Sequence, residues 1–223
     1  MPAQEFAALK QALLDSPLLG HSTLGGTFEG SRGFAITFTA EGRARVVERT
    51  PALAPFFALA IDRQGPRALR PWYRPGVPVR TPNAWYLNVL VIADQGRVGR
   101  HVDATLQGPA QAPHTTPEAV SVLYLSVPQG KGGALVLHDG PRELARLPPR
   151  EGTLLHFRGD LSHEVSALEA PAGARRASLV LEQYHFAPEP LGRLPALQID
   201  SRAGFEAFLA EHRKKPPASF TLE

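Results

Sequence analysis

Two histidines and one aspartate stand out among the residues that could do chemistry: His101 and Asp103 in GRHVDAT, and His163 in LSHEV. On a strand, the His-x-Asp spacing turns both side chains to one face, about 7 Å apart along the chain. His163 falls on another predicted strand far downstream. Two imidazoles and one carboxylate converging from a rigid sheet make a facial ligand set that suits non-haem Fe(II) and leaves the opposite coordination positions open to reactants. A bare His-x-Asp also occurs as a hydrogen-bonded pair beside a turn, so the tripeptide needs support from its surroundings.

That support comes from Arg175 and Arg176, twelve and thirteen residues after His163, which open the apolar run ASLVL. Strand side chains alternate faces, so one of the two must point into the interior. A guanidinium cannot shed its proton, and an inward one therefore needs an anion. Arg176 shares its face with Ser178, a hydroxyl donor, whereas Arg175 shares its face with Ala177 and Leu179. This favours Arg176 as the inward residue, with Arg175 as the alternative, and makes a small carboxylate held bidentately the expected partner.

The elements that must position these residues follow from periodicity and turn chemistry. Phe6, Leu9, Leu13 and Leu14 lie at helical spacing and predict a helix over 3–14. FAITFTAEGRARVVE at 34–48 reads as a β-hairpin, ALAPFFALAI at 52–61 as a short helix, and the Arg- and Pro-rich stretch 62–83 as a loop. That loop carries Trp72 and Tyr73 and reads equally well as a solvated connector or as a substrate contact. From 84 to 187 the pattern becomes short apolar runs separated by turn formers such as Asp94-Gln95-Gly96, Asp139-Gly140-Pro141 and Glu151-Gly152. Strands at this spacing without intervening helices predict a sandwich, barrel or jelly roll. The segment 188–223 reads as a Pro-rich tail ending in a helix over 204–215.

Composition narrows the chemistry. The 223 residues include no cysteine, which excludes disulfides, thiolate-held zinc, iron–sulfur clusters and thiol nucleophiles. A net charge of +3 and a pI near 9.5 invite a nucleic-acid reading, but 20 of the 24 basic residues are Arg, scattered rather than clustered, so this is weak. The first 15 residues carry Glu5, Lys10 and Asp15 and do not read as a signal peptide; a cytoplasmic location and no membrane partner are expected. Gly20-His21-Ser22-Thr23-Leu24 lacks the second glycine of a nucleophile elbow, and Gly130-Lys131-Gly132-Gly133 lacks the Ser or Thr of a P-loop. His138 and His156 read as structural.

Taken in order, GRHVDAT, SVLYLSV, KGGALVLHDG, EGTLLHFRGDLSHEV and GARRASLVL resemble the Fe(II)- and 2-oxoglutarate-dependent dioxygenases of the prolyl 4-hydroxylase type. The resemblance spans about residues 84–187. It implies a mainly β, double-stranded β-helix (jelly roll) core over 84–187, with a helix and hairpin extension at 1–83 and a tail at 188–223, all in one domain. It places the iron ligands on His101, Asp103 and His163, the distal carboxylate of 2-oxoglutarate on Arg176 or Arg175, and a hydroxyl partner on Tyr124. By position alone Tyr124 would be an ordinary core aromatic. The implied cofactors are Fe(II), 2-oxoglutarate and dioxygen, with ascorbate as an accessory, and the implied reaction is hydroxylation of an unactivated C–H with release of succinate and carbon dioxide.

Related halogenases replace the carboxylate ligand by a small residue, so Asp103 favours hydroxylation. The expected substrate is an amino acid or a peptidyl residue, prolyl being the family's commonest. The alternatives are a small-molecule metabolite, an alkylated nucleic acid, or a non-catalytic metal-binding jelly roll. The nucleic-acid demethylases of this chemistry carry a second arginine six residues after the first, where this chain has Leu181 and Glu182. Oligomeric state is left open.

Overall fold

The run AWYLNVLVIA has no polar alternation, which marks a strand covered on both faces. In the computed structural model, which describes residues 1–21, 28, 31–73, 76, 78–106 and 115–202, this run is strand β3 (Ala84–Ala93), with all but its last residue buried. It lies near the middle of an antiparallel sheet. β1 (Gly20–His21) and β2 (Arg32–Thr39) flank it on one side. β12 (Arg175–Tyr184), β5 (Ala119–Ser126) and β9 (Leu154–Arg158) continue on the other, in the order β1-β2-β3-β12-β5-β9. A second antiparallel sheet runs β4-β10-β7-β8, built from Val98–His101, Ser162–Val165, Leu135–Asp139 and Arg142–Leu147. A short ribbon pairs β6 (Lys131–Gly132) with β11 (Leu168–Glu169). Two antiparallel sheets facing each other make the jelly roll expected from the sequence.

The outer face of the large sheet carries Trp85, Leu87, Val89, Leu179 and Leu181, packed against helices. These are α1 (Ala3–Leu14), which buries Leu9 and Leu13, α2 (Arg43–Arg49), which buries Val46, and α3 (Ala54–Phe57), which buries Phe56 and Phe57. Fully burying each such side chain stabilises the fold by about 1.5–3 kcal/mol. The inner face meets the small sheet through Val120, Val122, Tyr124, Leu135, Leu137, Phe157 and Leu161.

The predicted helix over 3–14 is observed, and 52–61 is helical as a 3₁₀ turn, α3 and a π turn in succession. Three expectations are corrected. The hairpin over 34–48 is a strand followed by a helix: residues 43–49 form α2, because the outer edge of β2 is taken by β13 (Leu197–Ser201), Leu197 opposite Phe38 through Ser201 opposite Phe34. The stretch from 188 is accordingly no plain tail but contains α4 (Pro188–Leu191) and β13. β8 is an exposed edge strand whose polar sequence RELARL hides it from periodicity. Within the loop 62–83, Pro66–Trp72 wind as a 3₁₀ helix. Gly132, at φ +72°, needs glycine twice over, since a Cβ would also sit 1.9 Å from the Ala167 carbonyl oxygen. The helix expected at 204–215 lies outside the described residues, as do His114 and His212. Among the described residues no helix is long and apolar enough to cross a membrane.

Candidate metal centre and its pocket

Strand pairing brings the histidines together. β4 and β10 run antiparallel with His101 directly opposite His163, and the ring centroids stand 4.4 Å apart. Asp103 departs from the sequence reading, since β4 ends at His101 and the aspartate sits on the turn beyond it. That turn still delivers the carboxylate: Asp103 Oδ1 is 3.3 Å from His101 Nε2 and Oδ2 is 3.5 Å from His163 Nε2. One ligand atom from each residue lies within 4.8 Å of the others. The far ring nitrogens are anchored to backbone, His101 Nδ1 to the Gly99 carbonyl at 2.8 Å and His163 Nδ1 to the Leu161 carbonyl at 3.3 Å. A ring that donates from Nδ1 presents the Nε2 lone pair to the common point, the tautomer a metal ligand needs. Phe28 packs edge-on against His101 and Phe157 against His163, which fixes the ring planes.

The electrostatics suit a cation between the three side chains. Asp103 Oδ2 is buried and has no hydrogen-bond partner. Burial disfavours a charged His101, but the hydrogen bond and charge of Asp103 outweigh it and raise the pKa above the ordinary histidine value. At His163 burial dominates over Asp103 and the pKa is lowered. Two imidazole nitrogens and a carboxylate oxygen on one side of a point, with an orphaned buried oxygen among them, are the donor set and the charge deficit that Fe(II) would fill.

The arginine pair divides as alternation requires. Arg175 is exposed; Arg176 is 2% exposed and sits over the Tyr124 ring, 4.8 Å from its centroid. Arg176 Nε and Nη1 and the Tyr124 hydroxyl are buried without hydrogen-bond partners. Burial pushes the Arg176 pKa down, but a guanidinium stays protonated. Ser178 is buried on the same face of β12, opposite Tyr124 of β5. A cation with open donors, roofed by a phenol and flanked by a hydroxyl, has the chemistry to accept a small carboxylate.

Triad, Arg176 and Ser178 all line one cavity of about 420 Å³ between the sheets. Glu182, which sequence reasoning considered only as a departure from a demethylase pattern, lines it too. Its carboxyl accepts hydrogen bonds from Thr105 Oγ1 at 2.9 Å and from the Tyr184 hydroxyl, and burial, reinforced by Asp103, pushes its pKa well up. The signal was available: residues 176, 178, 180 and 182 share a face, so an inward Arg176 makes Glu182 inward as well. His138 and His156 stay apart from the triad. His138 Nε2 is 3.4 Å from Glu164, and His156 Nδ1 meets Ser121 Oγ at 2.9 Å. In the former loop, Tyr73 donates to the Glu118 carbonyl and lies under Arg158, while Trp72 is 73% exposed.

Comparison with known proteins agrees with this geometry. Residues 87–181 match the family model of the 2OG-Fe(II) oxygenase superfamily. A prolyl-4-hydroxylase from Pseudomonas putida is similar in fold at 20% identity, with a TM-score of 0.51 over 83% of this chain and 89% of that one. A prolyl hydroxylase from Trichoplax adhaerens, solved with a hypoxia inducible factor oxygen degradation domain peptide fragment, is 16% identical, with a TM-score of 0.50 over 81% and 77%. A 2OG-Fe(II) oxygenase family oxidoreductase from Burkholderia pseudomallei is 21% identical with a TM-score of 0.42, the match covering 60% of this chain and 56% of that one. No curated protein matches the chain in sequence. The triad lies inside the matched span, and the jelly roll that carries it has a prolyl 4-hydroxylase-like fold.

Proposed function

We propose that the protein is an Fe(II)- and 2-oxoglutarate-dependent oxygenase that hydroxylates a C–H bond of an amino acid or peptidyl substrate, with His101, Asp103 and His163 holding Fe(II) and Arg176 holding the distal carboxylate of 2-oxoglutarate. The observation that carries the reading is that a one-sided triad and a buried arginine without an anion open on the same cavity. Fe(II) and 2-oxoglutarate bound there supply an oxidant from dioxygen, with succinate and carbon dioxide as by-products. The chain's own part is to bind, orient and exclude water. His101 and His163 would turn their Nε2 atoms to the metal, held by their carbonyl partners, and Asp103 would add a carboxylate oxygen. Arg176 fixes the cosubstrate at the far end of β12, with Tyr124 and Ser178 as hydroxyl donors beside it. Leu90, Val122, Leu135 and Val180 make the walls apolar, which keeps water from competing for the open face. The peptide held by the Trichoplax protein supports a peptidyl or amino-acid substrate, through likeness of fold alone.

Anaerobic addition of Fe(II) and 2-oxoglutarate should give a weak visible charge-transfer band, and a mass-spectrometric screen of amino acids, peptides and cell extract should return products heavier by one oxygen atom. Absence of the band, together with no conversion of 2-oxoglutarate to succinate under any condition, would sink the proposal.

A further inference from the structure

β12 turns Arg176, Ser178, Val180 and Glu182 in succession into the barrel, and the two charged residues of this face lie six positions apart, about 20 Å along the strand. Both line the cavity that holds the triad. The cavity is therefore bipolar, with a guanidinium toward one end and a carboxyl toward the other. Arg176 faces open donors, as a cosubstrate anion requires. Glu182 is its acidic counterpart, and a cation brought beside it would favour the carboxylate. It is 4% exposed, and its partners are two neutral hydroxyls, Thr105 Oγ1 and the Tyr184 hydroxyl, whose oxygen in turn accepts the Thr105 N–H at 3.0 Å. Among the described residues no Lys or Arg pairs with it. A carboxylate offers roughly four acceptor positions, and the two hydroxyls use two of them. The remaining walls of Leu90, Val122 and Val180 need no acid for packing, so the carboxyl is held in place at a cost that a purely structural side chain would avoid.

We propose that Glu182 recognises a positively charged group of the substrate, an ammonium or guanidinium carried by a small amine or an amino acid, and so selects cationic molecules for the oxygenase site. Thr105 and Tyr184 orient the carboxylate for that contact, and Arg176 repels the same group from the cosubstrate end. The inference rests on the reading of the cavity as an Fe(II) and 2-oxoglutarate site, and names its substrate class.

The test uses two probes of one shape, pentylammonium chloride and pentan-1-ol, titrated calorimetrically into the whole protein loaded anaerobically with Fe(II) and 2-oxoglutarate. The wild-type protein should bind the ammonium at least about tenfold more tightly than the alcohol, and Glu182→Gln should bring the two within about twofold. Glutamine keeps the shape and both hydrogen bonds, since the hydroxyls can donate or accept, so only the charge is removed. No preference for the ammonium in the wild-type protein, or a preference that survives in Glu182→Gln, would overturn the inference. The charge-transfer band separates the two failures: a band without ammonium preference leaves the oxygenase site standing and removes only the role of Glu182.

Discussion

Asp103 and Arg176 have buried polar atoms with no hydrogen-bond partner among the described residues, and each predicts a different response to mutation. Asp103→Ala or His101→Ala should abolish 2-oxoglutarate turnover while leaving the melting temperature near that of the wild-type protein, because these side chains meet one another and few core atoms. Circular dichroism beside a succinate assay reads both; a protein that unfolds, or one that keeps turnover, contradicts the assignment. Arg176 behaves differently. A buried guanidinium without an anion destabilises the ligand-free fold, and replacing such a charge by an apolar residue of similar shape is often stabilising by about 1–4 kcal/mol. Arg176→Met should therefore raise the stability of the ligand-free protein and weaken 2-oxoglutarate by about ten- to a hundredfold, the loss expected for hydrogen bonds to a charged group. If Arg175→Met weakens 2-oxoglutarate and Arg176→Met does not, the inward assignment fails despite its burial.

At the scale of elements, the outer face of the large sheet carries a polar patch that links stability to pH. His156 of β9 meets Ser121 of β5, and Gln183 of β12 donates to Ser121 Oγ at 3.4 Å and to the Ala60 carbonyl at 3.2 Å, so the patch ties three strands to the π turn. Burial lowers the His156 pKa below its ordinary value. The folded protein then binds fewer protons there than the unfolded chain does, so the stabilisation is complete above about pH 6.5 and is lost as pH falls toward the lowered value. The slope is at most about 1.4 kcal/mol per pH unit. His156→Asn keeps an acceptor for Ser121 but cannot titrate. Urea unfolding from pH 8 to pH 5 should show the stability gap between wild type and variant shrinking with acid, and a gap independent of pH would refute the role.

The same scale explains what could be read from the sequence and what could not. The strands that hold His101, His163 and Arg176 are legible because alternation is a local property, and it also decides between Arg175 and Arg176. Residues 43–49 misled because Val46 and Val47 are β-branched and follow a turn. The competitor for that sheet edge, β13, lies about 150 residues away, and its alternation is only the pair Leu197 and Ile199. Glu182 stayed hidden for a related reason: a lone acid in an apolar strand looks like an outward residue until the facing of its neighbours is known. Asp103 was assigned to the right cluster on the wrong element, since a turn reproduced the reach that a strand would have given.

For the whole molecule, the cavity joins a carboxylate oxygen and guanidinium nitrogens that have no hydrogen-bond partner among the described residues, so a cation and a small anion bound there would each relieve an electrostatic cost. A ligand that binds only the folded state at a hundred times its dissociation constant stabilises by about 2.7 kcal/mol. In a chain of this size each kcal/mol moves the melting temperature by roughly 2–4 °C, so the shift is roughly 5–10 °C for a saturating ligand. Mn(II), which occupies Fe(II) sites without the redox chemistry, should raise the melting temperature alone, and 2-oxoglutarate should add a further shift that is larger with the metal present than without it. In Arg176→Met the metal shift should persist and the cosubstrate increment should fall by half or more; in Asp103→Ala both should shrink. An equal cosubstrate shift with and without metal would mean that Arg176 and the triad serve separate sites, and the bipolar cavity would then have to be reassigned to two independent ligands.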